Sequence, residues 1–257
     1  MYQSLSRDYD RFVNWKNRLA FEMPFITQQM AALQGSGTSP LRILDAACGT
    51  GMHAIALAGL GHTVSGADLF PQMVRVGRRN AAEAGVKVDF RTAGFGQLAP
   101  TFPDAGFDLL LCLGNSLPHL LTAEELSAAL RDFAACLRPG GMVLLQNRNF
   151  DAVMAKKERW MDPQTHREGE REWLFQRWYD FELSGLIRFN ILTLARESDS
   201  DWNPHLTSPL LRPLLKEELT AKASSAGFAS IRCFGSMQGE EFHATDSGNL
   251  ILTAIKK

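Results

Sequence analysis

Cysteine is scarce and scattered. The four in this 257-residue chain (Cys48, Cys112, Cys136 and Cys233) form no Cys-x-x-Cys pair, which argues against a zinc site or a disulfide framework and suits a reducing cytoplasm. Charge of one sign is missing too. Lys and Arg total 27 against 28 Asp and Glu, a formal net charge of −1, and no long basic block occurs. Proteins that grip nucleic acid usually carry a basic face, so DNA and RNA are disfavoured as substrates. No apolar run approaches the length of a membrane span, and the opening MYQSLSRDYDRF has no apolar signal-peptide stretch. These absences predict a cytoplasmic protein with neither nucleic acid nor membrane as partner. There is no internal repeat and no low-complexity segment. The length suffices for one large domain or a domain with an insertion.

What is present centres on Leu44-Asp45-Ala46-Ala47-Cys48-Gly49-Thr50-Gly51. An apolar run over 41–44 ends in an acid, small residues and a Gly-x-Gly follow, and from Met52 the pattern turns helical. This predicts strand, glycine turn, helix. Glycine lets backbone approach a ligand closely, and a helix start presents unpaired N–H groups to it.

In chain order, residues 1–34 read as helical, with Phe12, Trp15, Leu19, Phe25 and Ile26 as a rough stripe and Pro24 as a point of kinking or division. A Gly/Ser/Pro joint over 35–40 leads into strands at 42–45, 62–67, 86–91, 107–113 and 142–146, with helices between them. Thr122 and Glu125 have capping-box spacing. Such alternation predicts a parallel sheet with helices on both faces, whose ligands sit beyond the carboxyl ends of the strands. After Asn147 the pattern changes. Residues 148–170 read as polar and irregular, 173–181 and 186–196 as an antiparallel hairpin, 199–209 as a turn-rich loop, 214–226 as a helix, and 231–234 and 250–255 as the last strands.

Two readings compete for the glycine turn. Gly49-Thr50-Gly51-Met52-His53-Ala54 fits the G-x-G-x-x-A pattern of nicotinamide enzymes. Asp45 just ahead of it suits a ligand with a positive centre and an amino group better than a pyrophosphate. Asp68, ending the second strand, is placed to accept from a ribose diol, which fits either cofactor.

The opening motif resembles the first motif of class I S-adenosylmethionine-dependent methyltransferases. Gly66-Ala67-Asp68 resembles their ribose-binding acid, and Phe107-Asp108 and Leu137-Arg138-Pro139-Gly140-Gly141 resemble two further landmarks. The resemblance covers residues 41–147. It implies an α/β, Rossmann-like fold: a seven-stranded, mostly parallel sheet with its last strand antiparallel and helices on both faces. On that basis residues 1–257 form one domain, with an N-terminal helical lid (1–40), a cofactor core (41–147), a substrate-side hairpin insertion (148–206) and a C-terminal helix with the final strands (207–257). The stretches Tyr9 to Arg18, Leu113-Gly114-Asn115-Ser116-Leu117-Pro118-His119 and Arg148-Asn149-Phe150-Asp151 are similar to the glycine and sarcosine N-methyltransferase group. That similarity implies Arg18 at the cofactor carboxylate and Asn149 at a small amino-acid substrate. One departure stands out. Many members carry an acid after the third strand for the adenine amino group, where this chain has Ala93-Gly94-Phe95-Gly96.

The expected cofactor is S-adenosyl-L-methionine, held by Arg18, Asp45, Ala47, Gly49, Gly51, Asp68, Leu69, Gly94, Phe95, Leu113 and Asn115. The expected acceptor is a small molecule, methylated at nitrogen and held by Arg148, Asn149, Arg177, Tyr179 and Arg212, since arginine matches a carboxylate with a bidentate fork. His119 and Tyr179 are the catalytic candidates; an amine bound deprotonated needs no base, whereas an oxygen acceptor usually does. Trp160, Trp173, Trp178 and Trp202 read as the core of the insertion, with a cation cage as the alternative. Glu240-Glu241-Phe242-His243 reads as a solvated loop, and no metal is expected. The other functions left open are methylation of another metabolite at oxygen or carbon, a non-catalytic cofactor-binding protein, and a nicotinamide oxidoreductase.

Overall fold

Strands that are apolar on both faces need cover on both sides, and that requirement organises the core. The computed structural model describes residues 11, 13–35, 37, 39–104 and 106–257. The expected helical start at residues 1–10 and Phe12 lies outside these.

The first element is α1 (Trp15–Gln34), started by the Asn14 side chain accepting from the Asn17 amide at 3.1 Å. Pro24 sits inside this helix without dividing it. Then follow β1 (Arg42–Ala46), α2 (Met52–Gly59), β2 (Thr63–Asp68), α3 (Pro71–Glu83), β3 (Asp89–Thr92), α4 (Leu98–Thr101), β4 (Phe107–Cys112), α5 (Ala123–Cys136) and β5 (Leu137–Arg148). The Thr122–Glu125 capping box opens α5. After the insertion come α7 (Lys216–Ser225), β11 (Phe228–Phe234) and β12 (Asn249–Lys256).

These strands form a seven-stranded sheet in the order β11-β12-β5-β4-β1-β2-β3. β12 runs antiparallel to both neighbours, and the β1, β2, β3, β4 and β5 pairings are parallel. Side chains alternate across the sheet. Leu44, Leu110, Val143 and Leu145 pack with α5 and α7 on one face, while Ile43, Leu109, Leu111 and Leu144 pack with α1, α2 and α3 on the other. The chain reverses direction across the sheet between β1 and β4, so the ligand cleft opens beyond their carboxyl ends.

The landmark residues Asp108 and Arg138 work at the opposite end. Asp108 accepts from the Arg42 amide at 2.7 Å and from Arg138 Nε at 2.5 Å, tying the starts of β1, β4 and β5 together. Their role is to hold the sheet's register, far from the ligand edge.

The region past residue 147 is richer than a hairpin. It holds α6 (Phe150–Lys156) and a five-stranded antiparallel sheet of β6 (Gln164–Glu168), β7 (Arg171–Phe181), β8 (Ile187–Glu197), β9 (Asn203–Thr207) and β10 (Leu210–Leu211). Thus β6 lies in the stretch expected to be irregular, and β9 in the stretch expected to be a loop. Phe150, Tyr179, Ile187 and Leu211 form its own small core. Trp160 and Trp202 are exposed, which corrects their expected burial. The four tryptophans also do not converge. Trp160 meets Trp178 with centroids 5.6 Å apart, Trp173 carries Arg11, and Trp202 carries Arg196. Among the described residues no helix is long and apolar enough to cross a membrane, and no cluster of three or more His, Cys, Asp or Glu is placed to hold a metal ion.

Candidate active site

The glycine turn is built by backbone hydrogen bonds. Cys48 N donates to Ala67 O at 2.9 Å and Gly51 N to Cys48 O at 3.0 Å. Gly51 caps α2 in the left-handed region with φ 79°, and Ala47 also lies there with φ 59°, an uncommon conformation for a residue with a Cβ. A Cβ on Gly51 would stand 2.4 Å from Phe90 Cζ, and one on Gly66 would stand 2.7 Å from the same ring. The Phe90 ring is therefore seated against glycine backbone under the turn. Gly66→Ala overpacks that seat and is expected to cost about 1–3 kcal/mol of stability in urea unfolding. In a Phe90→Leu background the cost should shrink, as expected when two sites share one space. An equal cost in both backgrounds would sink the packing argument.

Asp68 is committed on both oxygens. One accepts from Gly49 N and the other from Phe70 N, each at 2.9 Å. It thus ties the turn after β1 to the turn after β2. Each carboxylate oxygen keeps a further lone pair for a ligand hydroxyl. Burial raises its pKa, and the two amides oppose the rise.

Asp45 differs. It is 2% exposed, and its Oδ2 has no hydrogen-bond partner among the described residues. Burial pushes its pKa up to about 6, against the pull of His53, Arg18 and the Ala54 amide. A buried acid with an unsatisfied oxygen is costly to the empty protein and is complementary to a cation that donates hydrogen bonds.

Arg18 reaches the same edge from α1. Its Nη2 lies 3.2 Å from where a Cβ of Gly114 would stand, so the guanidinium covers the turn after β4. Leu113 in that turn is buried, and Asn115 adopts φ 66°. At the other side of the cleft Leu69 is 61% exposed, and a Gly94 Cβ would stand 3.0 Å from its Cδ1. The Phe95 ring packs edge-on against Phe133 in the core, at 5.4 Å between centroids. Its side chain is therefore committed to packing.

The acceptor candidates separate into two groups. Arg148, Arg177 and Tyr179 come together, with the cofactor candidate Asn115 beside Arg148. Asn115 Oδ1 accepts from Arg148 N at 3.0 Å, and Arg148 hydrogen-bonds the Tyr179 side chain. Burial lowers the Arg177 pKa, the Tyr179 hydroxyl opposes the drop, and the Arg148 charge adds to it. The Arg148 and Arg177 charges thus both act on the Tyr179 phenol. Burial raises the Tyr179 pKa, so this side chain is a neutral phenol at neutral pH. Asn149 and Arg212 stand apart from it. Asn149 Nδ2 contacts the carbonyls of His243, Ala244 and Ser247 at 3.3, 3.0 and 2.9 Å, and its Oδ1 caps α6 by accepting from Ala152 N at 3.2 Å. Its amide holds loop and helix together. Arg212 pairs with Glu218, and its backbone amide donates to Pro118 O at 2.7 Å. It braces the turn of Leu117–His119. His119 ends that turn, and burial pushes its pKa down to about 4, so it is a neutral and weak base.

Four residues at this edge were not singled out from sequence: Glu22, His53, Gln146 and Asn147. Asn147, 1% exposed, has neither amide atom hydrogen-bonded among the described residues. Its place at the carboxyl end of β5 was the only available signal.

Comparison with known proteins adds the following. Residues 43–141 match a family model described as a methyltransferase domain. The chain is 31% identical over 151 residues to a glycine/sarcosine N-methyltransferase of Halorhodospira halochloris, covering 57% of this chain and about half, 52%, of that enzyme. A longer alignment of 252 residues, at 28% identity, covers 96% of this chain and 86% of a glycine/sarcosine N-methyltransferase of Aphanothece halophytica. Among solved structures, a S-adenosylmethionine-dependent methyltransferase from Clostridium acetobutylicum ATCC 824 superposes with a TM-score of 0.78 at 15% identity, covering 99% of this chain and 98% of the other. At that identity the likeness speaks for the fold alone.

Proposed function

We propose that this chain, a class I methyltransferase by its fold and by the methyltransferase domain over residues 43–141, moves the methyl group of S-adenosyl-L-methionine to the amine nitrogen of a small carboxylated acceptor. One observation carries the reading. The unpartnered Asp45 oxygen lies just before the glycine turn, at the switch point between β1 and β4. A buried carboxylate there fits the amino group and positive charge of this cofactor and opposes a pyrophosphate. The relatives named glycine/sarcosine N-methyltransferase support the nitrogen acceptor.

The residues divide the work by position. Asp45 takes the cofactor's amino group and Arg18 its carboxylate, beside Gly114 and Asn115. Asp68 takes the ribose hydroxyls. The backbone of Ala47, Gly49 and Gly51 lines the floor, Leu113 lines the wall, and Leu69 with the Gly94–Phe95 backbone borders the adenine. The cofactor supplies a methyl already activated on a sulfonium. Arg148 and Arg177 hold the acceptor's carboxylate, and Tyr179 and Asn115 orient its amine. His119, with its pKa near 4, holds no proton to give at neutral pH and is too weak a base to strip an ammonium. The amine therefore enters deprotonated, and catalysis is positioning and exclusion of water. In this reading residues 1–257 act as one domain in the cytoplasm, α1 is the lid, and the five-stranded sheet is the substrate-side insertion.

The test is a metabolite panel of amines and hydroxy compounds, each with and without a carboxylate, incubated with the cofactor and read by mass. Methylated product from carboxylated amines is expected. Product from the hydroxy compounds alone, or tight binding of NAD without binding of S-adenosylmethionine, overturns the reading.

A further inference from the structure

Helix α1 buries an acid where apolar residues would have sufficed to dock it. Phe25, Ile26 and Met30 already pack the helix onto the sheet. One turn nearer the cleft, Glu22 is 5% exposed and touches two other elements besides its own helix. Its Oε2 meets His53 Nε2 of α2 at 2.6 Å and accepts from Arg18 Nε at 3.1 Å. Its Oε1 accepts from the Gln146 amide of β5 at 2.9 Å. Gln146 carries the contact onward, because its own Oε1 accepts from Gly114 N at 3.0 Å. Burial alone raises a carboxyl pKa, yet the His53 hydrogen bond, the Arg18 charge and the Gln146 amide together hold Glu22 below its usual range.

A carboxylate removed from water is a poor fastener by itself. Such a group earns its place when its geometry fixes something else. Both chains of contact from Glu22 end at the same point. One is Arg18, whose guanidinium covers Gly114; the other is Gln146, which grips the Gly114 amide.

We propose that Glu22 is a positioning residue: its carboxylate locks α1 onto the ligand edge and sets the Arg18 guanidinium and the Gly114 turn where the amino-acid end of the cofactor lies. The inference rests on the cofactor reading above. Glu22 touches no reacting atom in this account and acts through Arg18 and Gln146.

Glu22→Gln keeps the volume and removes the charge. Calorimetry with two ligands separates positioning from folding: S-adenosylhomocysteine, and 5′-methylthioadenosine, which lacks the amino and carboxylate groups. The variant should bind S-adenosylhomocysteine roughly ten-fold more weakly and 5′-methylthioadenosine within about two-fold of wild type, since only the former uses the charged end. Gln146→Met cuts the second chain of contact while leaving the Arg18–Glu22 pair, and should show the same selective loss at about five-fold; it also serves if Glu22→Gln does not fold. Equal weakening of both ligands in either variant means that the network only supports the fold, and unchanged binding of both means that it supports nothing at the cleft; each result overturns the proposal. Wild-type protein that binds neither ligand removes the cofactor reading itself and this inference with it.

Discussion

Asp45→Asn is expected to stabilise the empty protein and to cripple it. The two effects come from the same oxygen. In the folded chain the carboxyl pKa stands at about 6 against an ordinary value of 3.8. Between those values the native state binds the proton more readily than the unfolded state, so stability rises as pH falls toward 4 and is lowest above pH 6. At pH 7 a difference of about two units amounts to roughly 3 kcal/mol held against the native state. Asparagine keeps the shape and the Ala54 contact without the charge, so the melting temperature should rise by several degrees, roughly 2–4 °C per kcal/mol for a chain of this size. Cofactor binding should fall by about 100-fold, the scale of a lost charge-assisted hydrogen bond in a buried site. Wild-type KM for the cofactor should also climb as pH drops through about 6, while the variant's stays flat over that range. Thermal melts with and without S-adenosylhomocysteine check both halves. A variant that melts lower yet binds normally would falsify the role given to Asp45.

The core was legible because burial and chemistry point the same way there. Strands such as Phe107–Cys112 are apolar without alternation, as a sheet covered on both faces requires, and the acid at the end of each of the first two strands marks the ligand edge. The insertion was legible only where alternation was strong. β7 and β8 pair over 11 positions with a clear two-residue pattern. Their outer partners QTHRE and NPHLT are short, polar and exposed, and Pro204 in β9 reads as a loop residue although an edge strand accommodates it. Such strands exist because β7 and β8 offer them free edges, which is a tertiary fact.

The site was legible for the backbone turn and less so for side chains whose purpose depends on a distant partner. Asn149 shows why: an asparagine capping a helix and one gripping a substrate look alike in sequence, and only the folded chain brings its amide to the three carbonyls of the 243–247 loop. Arg212 is similar, since its pairing with Glu218, six positions on, is set by the fold. Glu22 carried no signal at all. An acid one turn after an arginine on a helix reads as a solvated pair, and its burial arises from Gln146, 124 positions away.

The pairing of Arg148 with Arg177 makes the second large prediction. Arg148 and Arg177 stand close enough for the charge of the first to lower the pKa of the second. Like charges held together disfavour one another's charged form, and an anion beside them favours it. Arg177→Met removes one guanidinium and keeps most of the stem packing. The acceptor should lose its fork. KM for a carboxylated amine is expected to rise by about 100-fold, on the scale of one or two hydrogen bonds to a charged group, with the cofactor's dissociation constant unchanged. The decisive comparison is an acceptor of the same amine with its carboxylate esterified. Wild type should discriminate against the ester by a similar factor, and the variant should treat ester and acid nearly alike. If both substrates lose equally in Arg177→Met, the arginine supports the insertion's packing and the carboxylate is held elsewhere. If only the acid loses, Arg148 of β5 and Arg177 of β7 are where the acceptor's carboxylate is read.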